Sequence, residues 1–113
     1  MTDEEDYYVI IEHKESYPYS IFLRAEEKVT VSDKRENGWV WCTNKEGIGA
    51  WIPEKYIQQE NQTGTMLSDY SSSELTVEVG EMLTFIKEES GWIWCMNQKG
   101  QSGWVPSHKV RKP

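Results

Sequence analysis

The chain has 113 residues and a formal charge of −7, from 12 basic and 19 acidic side chains, with six Trp, six Tyr and only two Phe. The acidic balance argues against a phosphate-binding surface, and so against nucleic acid as a partner. The absence of any apolar run near the roughly 20 residues of a membrane helix argues against a membrane partner.

The chain opens on Asp3, Glu4, Glu5 and Asp6, which read as a solvated, frayed terminus. "MTDEEDYY" lacks the basic start and apolar core of a secretion signal, so a cytoplasmic chain is expected. "VIIEH" (9–13) and the loop "KESYPYS" (14–20) follow. "KVTVS" (28–32) alternates apolar and other residues and carries β-branched side chains, the pattern of a half-buried strand. "WVWCT" (39–43) reads as the next strand, with Val40 and Cys42 on one face and Trp39 and Trp41 on the other. The small apolar pair is the expected core face. "NKEG" is a hairpin turn in which Gly47 takes the positive φ. "GAWIP" returns and stops at Pro53, which cannot feed a central ladder. "EKY" (54–56) reads as a single 3₁₀ turn.

The same run then repeats. "MLTFI" (82–86), "WIWCM" (92–96), "NQKG", "SGWVP" and "SHK" (107–109) reproduce it in order. The copies match at three offsets: 57 for "VIIEH" against "MLSDY" (66–70), 54 for Ile21/Leu75 to Val31/Phe85, and 53 from Gly38/Gly91 to Ile57/Val110. Each change of offset places an insertion in a loop. Each copy holds about five short strands in about 50 residues, near the lower limit for a self-sufficient core. The polar join "QQENQTG" (58–64) spans at most about 25 Å, so the copies are close. Cys42 and Cys95 occupy equivalent positions, outside any CxxC pair and without a His at ligand spacing. They are expected to be buried thiols, with no metal and no other cofactor. No nucleophile, base and orienter occur together, and no phosphate-cradling glycine loop is present, so no enzyme is expected.

"ELTVEVGEML", "GWIW" and "GWVPSHKV" in the second copy, with "VIIEH", "SIFLRAEEKV", "GWVW" and "AWIPEKYI" in the first, resemble the Src homology 3 (SH3) family. The pair is similar to small bacterial proteins made of two tandem SH3 modules. The resemblance implies an all-β chain of two five-stranded, partly open barrels, residues 7–57 and 65–110, joined by the linker 58–64. It also implies an aromatic groove for extended or proline-containing peptides. In the first module that groove takes Trp39, Trp51, Pro53 and Tyr56, flanked by Ile11, His13, Tyr17 and Tyr19; in the second it takes Tyr70, Trp92, Trp104 and Pro106. The family's aromatic positions are altered at Ile11, His13, Ser68 and Lys109, so both grooves are incomplete. The first is expected to bind a protein or peptide partner weakly. Two rival readings stay open. In one, the aromatic faces close on each other within the chain or across a homodimer. In the other, the fold binds cell-wall peptides.

Overall fold

A computed structural model describes residues 6–17 and 19–113. Asp3, Glu4 and Glu5 of the opening run, and Pro18 of the first loop, lie outside the described residues. In chain order the strands are β1 (Asp6–Val9), β2 (Phe22–Leu23), β3 (Lys28–Glu36), β4 (Trp39–Thr43), β5 (Gly49–Pro53), β6 (Ile57–Glu60), β7 (Thr63–Met66), β8 (Tyr70–Ser71), β9 (Met82–Glu89), β10 (Trp92–Met96), β11 (Ser102–Pro106) and β12 (Val110–Arg111). Glu54–Tyr56 and Ser107–Lys109 form the two expected 3₁₀ turns. The architecture is all-β. Two five-stranded antiparallel sheets, ordered β5-β4-β3-β7-β6 and β11-β10-β9-β1-β12, form unclosed SH3-like barrels.

Local chemistry explains the turns. Asn37 and Gly38 both take positive φ (48° and 90°) between the paired residues Glu36 and Trp39. That is the two-residue reversal whose twist suits a hairpin. Ser90 and Gly91 repeat it between Glu89 and Trp92. Gly47 and Gly100 take φ of 81° and 83° as expected. Asn44 Oδ1 accepts from the amides of Glu46 and Ile48, and Asn97 Oδ1 does the same for Lys99 and Gln101.

The compact units do not coincide with the sequence repeats. One unit is Tyr19–Ser72; the other joins residues 6–17 to Ser73–Pro113. The repeats instead suggest modules at 7–57 and 65–110 with a linker between them. The reason lies in that linker. Residues 57–66 form the β6–β7 hairpin, with Glu60 paired to Thr63 across Asn61 and Gln62. Asn61 takes φ of 57°, a conformation Asn tolerates better than most residues. Such a tight turn returns β7 onto β6, so β7 enters the sheet just built and not the one to follow. Gly64 lets it settle, because a Cβ there would lie 2.6 Å from Ile57 Cγ2 and 2.9 Å from Val31 Cγ2.

β1 takes the equivalent seat in the other unit. Tyr7 pairs with Leu83, and Gly64 with Val29; Val9 pairs with Val110, and Met66 with Ile57. His13 bridges to Val77 as Tyr70 pairs with Leu23. These equivalences reproduce the offsets of 57, 54 and 53 residue for residue. The first strand of each repeat therefore serves the unit built from the rest of the other repeat.

Each core is built from the inward faces. Leu23, Val29, Val31, Val40, Cys42, Ile52 and Met66 are buried in the 19–72 unit. Val9 from β1 joins Leu75, Val77, Leu83, Ile93, Cys95, Val105 and Val110 in the other. Both cysteines are free and buried.

Candidate functional site

In the 19–72 unit, β4 and β5 present Trp39 opposite Pro53 and Trp41 opposite Trp51. Tyr56 follows Pro53 in the 3₁₀ turn. Its ring meets Tyr70 edge-on, with centroids 5.7 Å apart at 89°. The Tyr70 hydroxyl donates to the Trp51 carbonyl at 2.7 Å. The aromatic set of this unit thus draws Tyr70 from the repeat that follows it. Trp39, Pro53, Tyr56 and Tyr70 are buried, and Trp51 is half-buried.

The stacked tryptophans are 41 with 51, whose rings meet edge-on at 5.5 Å. The ring lies over the backbone of Gly49, where a Cβ would come within 2.3 Å of Trp41 Cζ2. β3 shifts register between Val31 and Arg35. There Ser32 Oγ donates to the Trp41 carbonyl and accepts from the Lys34 amide. The Lys34 ammonium sits 5.1 Å from the Trp41 ring centroid and 5.4 Å from that of Trp51, a cation–π arrangement. Arg35 pairs with Glu54 and donates to Gln59 Oε1.

In the other unit Trp92 lies opposite Pro106 and Trp94 opposite Trp104. Trp94 and Trp104 meet at 5.2 Å, with the Lys87 ammonium 5.8 Å from the Trp104 ring. His13 stands edge-on to Trp92 at 5.7 Å. Its Nε2 is 2.8 Å from Glu74 Oε1, and its Nδ1 is 3.1 Å from Lys109 Nζ. An ammonium only donates, so Nδ1 accepts and Nε2–H donates to the carboxylate. The same Glu74 oxygen accepts from the amide and hydroxyl of Ser16, each at 3.1 Å. Where the 19–72 unit joins two tyrosines, this one holds a chain of Lys, His and carboxylate.

The residues expected to line one groove are divided. Ile11, His13 and Tyr17 belong to the unit with 73–113, while Tyr19, Trp39, Trp51, Pro53 and Tyr56 belong to 19–72. Ile11, Tyr17 and Tyr19 are exposed. Tyr70 joins the first repeat's aromatics and leaves Trp92, Trp104 and Pro106. The bond between Lys109 and His13 was not anticipated, since the sequence marks each only as a departure from the family's aromatic positions. The signal was present: both departures from the family's aromatic positions fall in different repeats, and they complement each other only if the first strands are traded.

The two units differ at one sheet edge as well. Trp104 donates to the Ser73 carbonyl and accepts from the Leu75 amide, so Ser73–Leu75 runs parallel beside β11. Gly103 permits that approach, since a Cβ would lie 2.8 Å from the Leu75 nitrogen. Ala50 holds the equivalent place in β5. There the Trp51 carbonyl takes the Tyr70 hydroxyl instead.

Among the described residues no group of three or more His, Cys, Asp and Glu is placed to hold a metal. No helix there is long and apolar enough to cross a membrane. Burial pushes the Cys42 thiol up to about 11, against a lowering by Arg35, and the Cys95 thiol up to about 12. Neither is poised as a nucleophile.

Residues 68–107 match the SH3 domain family, a span that crosses the boundary between the two compact units. The mouse SH3 and PX domain-containing protein 2B is 22% identical over 125 residues, covering 96% of this chain and 14% of that protein. Its human counterpart is 23% identical over the same shares. The mouse SH3 and PX domain-containing protein 2A is 34% identical over 59 residues, 52% of this chain and 5% of that protein. Residues 68–107 are thus similar to SH3 domains, and the chain spans 14% or less of the length of these distant mammalian relatives.

Proposed function

We propose that this chain is a non-catalytic protein-interaction module whose aromatic faces are closed in the folded protein and serve cohesion more than peptide capture. One observation carries this reading. Three of the aromatics that the family resemblance assigns to grooves are buried, with exposures of 8% for Trp39, 9% for Tyr56 and 4% for Tyr70. A proline-rich segment needs exposed ring faces to stack on. The Tyr70 hydroxyl is already committed to a backbone carbonyl.

The test is a titration of the intact chain with a decapeptide containing PxxP, followed by two-dimensional NMR. The closed reading expects no saturable shift at the Trp39 indole N–H or at the amides of Tyr56 and Tyr70. Saturable shifts at all three would restore the open groove, with weak peptide binding through the 19–72 unit.

A further inference from the structure

The seat of β1 is a gap that the chain must fill. β1 lies inside its sheet, between β9 and β12. Val9 reaches the middle of the apolar cluster, and Tyr7 packs on Phe85 with centroids 5.4 Å apart. Along the rest of the arm, Ile10 and Ile11 donate to the Lys109 carbonyl, and His13 exchanges both backbone bonds with Val77. Withdrawing residues 6–17 would open an apolar core and leave two sheet edges unpaired, so some strand must occupy the place.

Side chains select which strand. β7 has the matching register, but its extension carries Tyr70 where the arm carries His13. In the β1 seat that tyrosine would meet Glu74 and Lys109, with one hydroxyl against two charged partners. In the 19–72 unit His13 would meet Tyr56 and the Trp51 carbonyl, without Glu74 or Lys109. His13, Glu74 and Lys109 thus assign residues 6–17 to the 73–113 unit. They say nothing of which molecule supplies them. We propose that this unit also accepts residues 6–17 of a second copy of the chain, giving arm-exchanged dimers. The inference does not depend on whether the aromatic grooves bind peptide.

The arm is tied to its acceptor through the 19–72 unit, whose two ends are held together where Ile21 and Ser72 hydrogen-bond. A tether that short sets an effective concentration on the order of millimolar. The chain's own arm therefore wins in dilute solution, and a second copy competes when refolding occurs near about 1 mM. A dimer once closed reopens only by pulling a core strand, so it persists on dilution.

The test uses two full-length chains that differ in mass, one carrying Tyr8→Cys and the other Met82→Cys, at positions paired between β1 and β9. They are co-refolded from urea at rising concentration, diluted, oxidised and read by native mass spectrometry. The expected result is a dimer fraction that rises with refolding concentration and carries a disulfide between the two chains. Adding His13→Tyr to the first chain should reduce that heterodimer several-fold. Monomers alone at every concentration would overturn the proposal, as would dimers that form no disulfide between chains. Both readouts are independent of the peptide titration.

Discussion

At the scale of single residues, one glycine and two thiols make definite demands. Gly103 stands where a side chain would collide with backbone, and backbone cannot swing aside as a flexible side chain can. Gly103→Ala should cost about 1–3 kcal/mol in urea unfolding. It should also strip hydrogen-exchange protection from the amides of Leu75 and Trp104, whereas Lys99→Ala, at an exposed turn position, should leave that protection intact. Loss of protection in both variants would mean that β11 responds to general destabilisation. The thiols carry a pH dependence. Burial raises both from the ordinary 9.0, Cys42 to about 11 and Cys95 to about 12. The folded chain then holds those protons more tightly than the unfolded one, so this contribution is whole below about pH 9 and is lost as the pH rises through the folded values. At pH 8 a thiol reagent should react with both only as fast as the chain opens, and at once in urea. Rapid labelling of the native protein would contradict the burial.

At the scale of elements, the latch on the arm is Glu74. Its carboxylate takes Nε2–H of His13 and both donors of Ser16. Glu74→Gln keeps the shape and removes the charge. It should cost about 1–3 kcal/mol and raise amide exchange from His13 to Ser16. Exchange that rises equally at Ile93 and Val105, in the core of the same unit, would show a general loss of stability and no latch. Much at this scale was legible in the sequence: the inward Val40/Cys42 and Ile93/Cys95 faces, the Asn and Gly turns and the two 3₁₀ turns. Even the registers were present as offsets. The pairing of strands was not legible. "VIIEH" fits either seat by hydrophobic pattern, and the hairpin at Asn61 was hidden in a polar stretch that reads equally well as a linker. The ring partners of the tryptophans were not legible either. Alternation puts Trp39 and Trp41 on one face, but only the register decides that Trp51 faces Trp41 while Pro53 faces Trp39.

At the scale of the whole molecule, the repeat and the folding unit are out of phase. Tyr19–Ser72 is continuous in sequence and contains every strand of its own sheet. The other unit is divided by it. A fragment 19–72 should therefore fold alone, giving dispersed amide and indole signals, although a core of about 50 residues leaves it marginal. A fragment 65–113, cut where the repeat suggests, should stay unfolded, since it lacks β1 and keeps only Thr65 and Met66 of β7. A folded 65–113 would mean that the segment from Thr65 to Tyr70 can replace the arm, and the side-chain assignment of the two seats would fall.

The division of that second unit also imposes a schedule on the ribosome. Val9 is made early, while its neighbour Val110 follows about a hundred residues later. At about 5–20 residues per second, the first strand spends roughly 5–20 seconds without a partner. Through that interval the 19–72 unit can finish beside it. On a crowded messenger, the proposed exchange would let the acceptor of the chain ahead compete for the waiting strand.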